Sequence, residues 1–320
     1  MFAVYAARID AGQPLKGLES GERPAPRERA GWTRITVKAA SLNHHDLWSL
    51  RGVGLGEQAL PMILGCDAAG VDEDGNEVVV HSVIGETGHG VAPGERRSLL
   101  TERYQGTFAE QVAVPAWNVL PKPKELSFEE AACLPTAWLT AYRMLFTNAG
   151  VRPGDSVLVQ GAGGGVATAA IVLARAAGLR VYATSRDAAK RERAAGLGAH
   201  GVYEPGARLP RRVDAVIETV GAATWSHSLK SLRPGGTLVI SGATSGANPP
   251  ATELNRIFFL ELKVVGSTMG TKDELAGLLD FCAVTGVRPV IDSVLPLDRA
   301  REGFEHLAAG EVFGKIVLTA

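Results

Sequence analysis

Cysteine is scarce in this chain: among its 320 residues there are only Cys66, Cys133 and Cys282. Three scattered thiols cannot build a disulfide framework, and such a low content is typical of proteins that work in a reducing compartment. We therefore expect a cytoplasmic protein without disulfide bonds.

An excess of positive charge is also missing. The chain has 33 Lys and Arg residues against 34 Asp and Glu residues, which leaves a net charge of −1. No positive field exists to hold nucleic acid or an anionic membrane. The longest apolar stretch, residues 166–183, contains Arg175 and Arg180, and the N-terminus reaches Arg8 before a signal peptide could form. We expect neither a nucleic-acid partner nor a membrane partner.

The chain does contain two kinds of secondary-structure pattern. Short strand-like runs at residues 33–40 and 77–83 predict a β-rich first third. The middle alternates helices with strands, which predicts an α/β fold with a doubly wound parallel sheet. The predicted strands there are residues 156–160, 179–184, 213–219, 237–241 and 263–267, and the helices are residues 166–177, 188–197 and 225–232. Breaks near residues 121 and 270 predict one domain at residues 121–270 and another at residues 1–120 with 271–320.

A glycine-rich loop joins the first strand to the first helix of that alternating region. Phosphate groups need exposed backbone N–H groups at a helix N-terminus, and side chains would block the approach. The loop follows a strand and opens a βαβ unit, which is the context that dinucleotide binding requires. A tight turn in a sugar-binding or acyl-binding domain is the alternative. The predicted phosphate-binding residues are Gly161, Gly163, Gly164, Gly165 and Val166.

The end of the second strand predicts which dinucleotide is bound. NAD-binding proteins usually have an acidic residue there, which accepts a hydrogen bond from the ribose 2′-hydroxyl. This chain has Ser185 and Arg186, with Lys190 one turn later, and these groups would hold a 2′-phosphate. Asp187 is interpreted as the N-cap of the next helix. The two cations as solvated surface charges are the alternative, and we expect NADP(H) as the cofactor.

Six sequence blocks resemble, in order, those of the medium-chain dehydrogenase/reductase superfamily. The resemblance covers nearly the whole chain and implies a Rossmann dinucleotide-binding domain plus a β-rich, GroES-like catalytic domain. The blocks are residues 40–46 (ASLNHHD), 64–70 (LGCDAAG), 134–142 (LPTAWLTAY), 232–236 (LRPGG), 266–270 (GSTMG) and 314–318 (GKIVL).

The same resemblance bears on metal binding. The three usual zinc-ligand places fall on Asn43, Cys66 and Thr136, and only the cysteine is a good zinc ligand. The usual four-cysteine structural zinc lobe is missing as well, because three cysteines cannot supply four ligands. The chain therefore resembles the zinc-free quinone oxidoreductase branch, and we expect no metal.

Two other interpretations stay open at this stage. Cys66 and Asp67 with one of His44 and His45 would make a non-standard zinc site, although adjacent histidines in an extended segment point to opposite faces. The second interpretation is an enoyl-thioester reductase. Enzymes of that kind in the superfamily usually carry a catalytic tyrosine near the position of Gly54, and this chain lacks that proton donor.

The resulting hypothesis is a zinc-independent, NADPH-dependent oxidoreductase that transfers hydride to a small electrophile, a quinone or an α,β-unsaturated carbonyl compound. Such a reaction requires orientation of the acceptor and hydrogen bonds to the oxygen that becomes negative. An alcohol dehydrogenase with a non-standard zinc site and a cofactor-binding protein without turnover are the alternatives. The predicted hydrogen-bond or proton donors are Asn43, His44 or His45, and Tyr104.

Further residues are expected at the cofactor. Ligands of open parallel sheets lie over the carboxyl ends of the strands, which here means the loops after the predicted strands. The candidates are Thr140, Val220, Gly242, Ala243, Met269, Gly270 and Lys315. We expect residues 81–106 to shape the acceptor pocket, and the resemblance implies a homodimer formed through residues 262–267.

Overall fold

The computed structural model describes residues 1–85 and 94–320. The first strands of this part are β1 (Phe2–Ala6), β2 (Leu18–Glu22), β3 (Trp32–Ser41), β4 (Met62–Ile63), β5 (Asp67–Val71), β6 (Glu77–Val80), β7 (Val83–Gly85), β8 (Arg97–Leu99), β9 (Gln111–Pro115) and β10 (Val119–Pro121). The later strands are β11 (Ser156–Val159), β12 (Arg180–Thr184), β13 (Gly201–Tyr203), β14 (Val213–Glu218), β15 (Leu232–Ile240), β16 (Lys263–Gly266), β17 (Ile291–Pro296) and β18 (Lys315–Thr319).

The α-helices of the described residues follow the same order. They are α1 (His44–Leu50), α2 (Phe128–Ala132), α3 (Leu139–Tyr142), α4 (Gly165–Ala176), α5 (Ala188–Gly196), α6 (Trp225–Ser231), α7 (Leu254–Phe259), α8 (Lys272–Thr285) and α9 (Ala300–Ala309). Two short π-helices, Leu134–Trp138 and Arg143–Asn148, lie before and after α3. None of the helices in the described part of the chain is long and apolar enough to cross a membrane.

The chain divides into two compact units. The first unit is Met1–Leu139 with Met269–Ala320, and the second unit is Thr140–Thr268. The domain limits that the sequence analysis placed at residues 120/121 and 270/271 stay a prediction.

The second unit is built on a parallel sheet of six strands in the order β13-β12-β11-β14-β15-β16. Strand β11 is buried along its whole length, as expected for a parallel strand that is covered on both faces. Strand order reverses between β11 and β14, and the loops after these strands lie at that switch point. The predicted α/β fold with a Rossmann-like sheet is confirmed.

The first unit is mostly antiparallel. Its main sheet has the order β10-β6-β5-β3-β18-β17, and β9 pairs with β3 off this path. The long strand β3 pairs with β5, β9 and β18, so its C-terminal end lies beside both β5 and β18. A core that includes Ile35, Phe108 and Phe304 packs against this sheet. Because of this pairing, residues at the C-terminal end of β3 lie close to residues of β5 and β18, where a buried polar cluster is described below.

Candidate functional site

The glycine-rich loop has the backbone that a phosphate cradle needs. Gly161 and Gly163 have φ angles of +76° and +133°, which are strained for any residue with a side chain. A Cβ atom on Gly161 would lie 2.6 Å from Cγ2 of Val220, so the loop packs closely on the end of β14. Helix α4 begins at Gly165, and Gly164 caps it with no side-chain hydrogen bond. A Cβ at Gly164 would meet nothing within 4 Å, so the neighbouring residues leave this side of the helix N-terminus open, as phosphate binding there requires.

The predicted 2′-phosphate residues lie next to this loop. Ser185 is buried and Arg186 is exposed at the end of β12, and Asp187 accepts hydrogen bonds from the first-turn amides of α5, which confirms its interpretation as an N-cap. A Cβ on Gly163 would lie 2.9 Å from Cδ of Lys190 and 3.4 Å from its Nζ. The structure therefore brings the ammonium group of Lys190 to the phosphate loop.

Arg191 is a residue of this corner that the sequence analysis missed. Its Nη1 donates to the carbonyl oxygens of Ser185, at 2.7 Å, and of Arg186, at 3.1 Å. Its Nη2 forms an ion pair with Glu204 over 3.4 Å. Arg191 thereby fixes the turn that presents Ser185 and Arg186. No sequence signal distinguishes it from the other basic residues of α5.

The loops after β14 and β15 contact each other. A Cβ on Gly221 would lie 2.6 Å from the Gly246 carbonyl oxygen and 2.8 Å from Cα of Ala243. A Cβ on Gly242 would lie 3.0 Å from the Thr219 carbonyl oxygen. The predicted cofactor residues Val220, Gly242 and Ala243 are therefore neighbours, and the missing side chains allow this close packing.

A buried polar cluster occupies the C-terminal end of β3 in the first unit. Nζ of Lys315 donates to the Leu42 carbonyl oxygen at 2.7 Å, to Oδ1 of Asn43 at 2.6 Å and to Oδ2 of Asp67 at 3.3 Å. The amide nitrogen of Asn43 donates to Oδ2 of Asp67 at 2.8 Å and to the Ser41 carbonyl oxygen at 3.3 Å. Lys315 and Asp67 are 2% and 0% exposed, so this ion pair is shielded from water.

Helix α1 begins in this cluster. Asp46 accepts from the backbone N–H of Asn43 at 2.8 Å and from that of Gly65 at 3.1 Å. Burial raises the pKa of Asp46 to about 7, and the nearby carboxylate of Asp67 adds to the rise. Asp46 therefore orients the backbone around Asn43.

The two histidines of α1 lie in different environments. His44 is exposed at the first position of the helix. His45 is half-buried, and its Nε2 lies 3.0 Å from Oγ1 of Thr101 and 3.4 Å from Oγ of Ser49. Burial lowers the pKa of His45, so the ring is neutral at neutral pH.

The residues at the usual zinc-ligand places do not fit a zinc ion. The Cys66 thiol donates to the Leu100 carbonyl oxygen at 3.4 Å, and burial raises its pKa well above the ordinary range. Oγ1 of Thr136 lies 3.5 Å from the hydroxyl of Ser82. Asn43 is bonded to the ammonium of Lys315, a cation that repels a metal ion. Across residues 1–85 and 94–320, no group of three His, Cys, Asp or Glu side chains has a metal-binding arrangement.

The remaining predicted residues are spread over the fold. Tyr104 packs on Trp32, with ring centroids 5.0 Å apart, at the opposite end of β3 from Asn43. The structure therefore does not bring Tyr104 to the Lys315 cluster. Thr140 is buried on α3. Of the predicted pocket loop at residues 81–106, residues 86–93 lie outside the described part of the chain.

Met269 and Gly270 lie in the short link between β16 and α8, and several contacts hold this link in place. Met269 has a φ angle of +48° and packs on Val83. Nε2 of His81 lies 2.9 Å from the Gly270 carbonyl oxygen, and a Cβ on Gly270 would lie 2.5 Å from Cγ of Leu139. His81 therefore anchors this link to the segment between β6 and β7, a role that the sequence analysis missed.

Comparison with known proteins gives two family matches. A model described as a zinc-binding dehydrogenase matches residues 165–284. A model described as an alcohol dehydrogenase GroES-like domain matches residues 29–124. The first model falls mostly within the predicted parallel-sheet domain, and the second falls mostly within the predicted β-rich first third.

Three relatives match nearly the whole chain. A zinc-type alcohol dehydrogenase-like protein of Schizosaccharomyces pombe is 31% identical and covers 94% of each chain. The quinone oxidoreductase of Mus musculus is 30% identical over 89% of this chain and 88% of its own length. The acryloyl-coenzyme A reductase of Sulfurisphaera tokodaii is 29% identical over 95% of this chain and 97% of its own length.

Among solved structures, a crystal structure described as an NAD-dependent alcohol dehydrogenase is similar over the full length. It covers 100% of both chains with a TM-score of 0.91 and 36% sequence identity. The β-rich and parallel-sheet architecture described above is thus an architecture already observed by experiment.

Proposed function

Because the chain belongs to the medium-chain dehydrogenase/reductase superfamily and is a quinone oxidoreductase-like enzyme, we propose that it transfers hydride from NADPH, without zinc, to a quinone or an α,β-unsaturated carbonyl compound. The observation that carries the proposal is the ammonium group of Lys315, buried 2.6 Å from Asn43 Oδ1, the residue at the first zinc-ligand place.

Zinc independence is supported by the chemistry of the donor set. Zinc sites are normally built from Cys, His and carboxylate side chains, and the three places offer a single thiol, an amide and a hydroxyl. The positive charge that a metal would supply is already present as the Lys315 ammonium, paired with Asp67. A metal-free donor set of this kind disfavours alcohol oxidation, in which a metal binds and deprotonates the alcohol, and favours reduction of an activated alkene or quinone.

NADP(H) specificity is supported by the corner after β12. The pyrophosphate would be held by the backbone of Gly161, Gly163, Gly164, Gly165 and Val166 at the start of α4. The 2′-phosphate would be held by Ser185, Arg186 and Lys190, since a hydroxyl and two cations favour a dianion where an acidic residue would repel it. One similar solved structure is described as an NAD-dependent alcohol dehydrogenase, so the choice between NAD(H) and NADP(H) is the first point to test.

In this proposal, Asn43 stabilises the negative charge that develops on the acceptor, and a histidine of α1 delivers the proton. Bound nicotinamide supplies the hydride, which leaves negative charge on the acceptor oxygen. Lys315 and Asp67 hold the side chain of Asn43 in one orientation. The side-chain N–H of Asn43 that donates to the Ser41 carbonyl oxygen over a long 3.3 Å is the one that would donate to an acceptor oxygen instead. Of the two candidate histidines, His44 is exposed at the start of α1 and is the better placed to bring the final proton from solvent, because burial keeps the ring of His45 neutral.

The natural quaternary state in this proposal is a homodimer. Strand β16 lies at one edge of the six-stranded sheet, and α7 just before it exposes Leu254, Phe258 and Phe259 at 64%, 60% and 76%. Large apolar side chains so exposed on a folded chain are typical of an interface, and an unpaired edge strand pairs readily with a second copy.

The decisive experiment is a cofactor and acceptor screen on metal-free protein. Purified enzyme dialysed against chelator is mixed with NADPH or NADH and a quinone or an enone, and the loss of nicotinamide absorbance is followed by stopped flow. We expect NADPH oxidation with at least one acceptor, and no change on addition of Zn²⁺. Turnover only with NAD and an alcohol, restored only when Zn²⁺ is added back, with one zinc ion per chain in protein purified without chelator, would overturn the proposal.

A further inference from the structure

A buried carboxylate in the second unit takes part in none of the interactions proposed above. Glu218 ends β14 and is 1% exposed. Its Oε1 accepts from the backbone N–H groups of Val220 at 2.7 Å and Gly221 at 3.1 Å. Its Oε2 accepts from the hydroxyls of Thr224 at 2.7 Å and Ser228 at 2.6 Å. Four donors compensate the cost of burying this group.

From Ser228 the hydrogen bonds continue to the glycine-rich loop. Nε2 of Gln160 donates to Ser228 Oγ at 3.0 Å, and Thr184 Oγ1 donates to Gln160 Oε1 at 2.6 Å. The N–H of Gly161 then donates to Thr184 Oγ1 at 3.3 Å. One continuous network thus joins the amide of the phosphate loop to the amides of the loop after β14.

The direction of every bond in this network is set at its ends. A carboxylate only accepts, so Ser228 must donate to Glu218 and must accept from the amide group of Gln160. The carbonyl oxygen of Gln160 then faces the hydroxyl of Thr184, and that hydroxyl oxygen is left to accept from Gly161.

His227 enforces the same orientation of Gln160 independently. Its Nε2 lies 2.9 Å from the Ala207 carbonyl oxygen and must donate to it, so Nδ1 is the acceptor and takes a hydrogen bond from Gln160 Nε2 at 3.0 Å. Both neighbours therefore require the same side-chain flip of Gln160.

We propose that Glu218 is a positioning residue that holds the phosphate loop at Gly161 and the loop at Val220–Gly221 in one fixed arrangement for the dinucleotide. The loops also touch directly, since a Cβ on Gly161 would lie 2.6 Å from Val220 Cγ2. A change at Glu218 or Ser228 is therefore felt at both loops, and cofactor binding depends on groups that the cofactor does not contact. The inference rests on the proposed dinucleotide binding.

The chain offers a matched pair of variants to test this. Ser228→Ala removes a buried hydroxyl that bonds a carboxylate at the carboxyl end of β14. Ser156→Ala removes a buried hydroxyl that donates to Asp214 at 2.7 Å, at the opposite ends of β11 and β14. Both variants delete the same kind of bond from the same sheet, and only Ser228 belongs to the network.

Hydrogen exchange on the cofactor-free variants reads out the network without any ligand. We expect faster exchange in Ser228→Ala at both the 159–166 and the 218–224 peptides, and unchanged exchange there in Ser156→Ala. Faster exchange confined to the 218–224 peptide, or the same pattern in both variants, would overturn the inference.

Fluorescence titration with NADPH then measures the consequence for binding. We expect the Kd to rise about tenfold in Ser228→Ala and Glu218→Gln, and by less than about twofold in Ser156→Ala, the scale of one or two lost hydrogen bonds. Equal Kd changes in Ser228→Ala and Ser156→Ala, at similar losses of thermal stability, would reject the positioning role. If the unaltered protein binds neither NADPH nor NADH, the proposed function fails, and the exchange experiment still decides the coupling of the loops.

Discussion

The ammonium group of Lys315 donates to the side-chain oxygen of Asn43 over 2.6 Å, with both residues buried. One ion pair, Lys315 with Asp67, thereby fixes the orientation of an amide that the sequence analysis could identify only as a candidate donor. The orientation matters because a donor held in place needs no reorganisation when charge develops on a bound acceptor.

Removing this ammonium should destabilise the fold. Lys315→Met leaves the carboxylate of Asp67 buried without a cation, and loss of one partner of a buried pair costs about 3–5 kcal/mol. Urea unfolding at neutral pH measures the effect. The double variant Lys315→Met with Asp67→Asn serves as the control, because it removes both charges and should recover part of the lost stability. A loss below about 1 kcal/mol in the single variant would contradict the buried pair.

Cofactor preference should change at the corner after β12. We expect Arg186→Ala combined with Lys190→Ala to raise the KM for NADPH at least about tenfold, because the two cations proposed to bind the 2′-phosphate are lost. The KM for NADH should stay within about twofold. Arg193→Ala, on the same helix, is the matched control and should alter neither value. Equal losses with NADPH and NADH would mean that these cations do not select the phosphate.

The link at Met269–Gly270 should make stability depend on pH. Burial lowers the pKa of His81 below its ordinary value of 6.5, so the unfolded chain takes up the proton before the folded chain does. The contribution of His81 is therefore present above pH 6.5 and is lost as the pH falls through the lower pKa of the folded state. Urea unfolding at several pH values should show a steeper loss on acidification in the unaltered protein than in His81→Gln. Parallel curves would contradict the assignment.

The exposed apolar face of α7 should hold the proposed dimer together. We expect Phe259→Glu to shift the protein toward the monomer, because a charge would be buried in the interface. Light scattering after size-exclusion chromatography gives the mass. Val284→Glu is the control, since Val284 is also highly exposed, at 87%, but lies on α8 in the other unit. Dimers that persist in Phe259→Glu, or a monomeric unaltered protein, would contradict this interface.

The parallel sheet could be predicted because its strands are short buried runs separated by helices. Strand β11 is apolar except at its first residue and lies directly before the glycines, so the βαβ unit was recognisable. Strand β13 was missed because it has three half-buried residues and follows a glycine-rich turn. The predicted strand at residues 77–83 breaks into β6 and β7, since the chain turns at His81 and Ser82 to reach other partners.

The site was predictable only where local sequence determines local geometry. The glycine loop and the N-cap at Asp187 follow from short-range rules, and the structure has the expected backbone at both. The Lys315 cluster joins residues separated by 272 positions, and no local pattern reveals which side chain will reach Asn43. Glu218 and Arg191 were missed for the same reason, because their partners are defined by the packed fold.

The contact between Gly163 and Lys190 has a consequence for altering coenzyme usage. A methyl group at residue 163 would meet the lysine stem at 2.9 Å, at a backbone angle of +133° that alanine rarely adopts. Position 163 is therefore constrained by its backbone angle, which favours glycine, and by its contact with Lys190, a residue of the proposed 2′-phosphate site. A change of coenzyme preference is therefore expected from substitutions at residues 186 and 190, with the glycines of the loop kept.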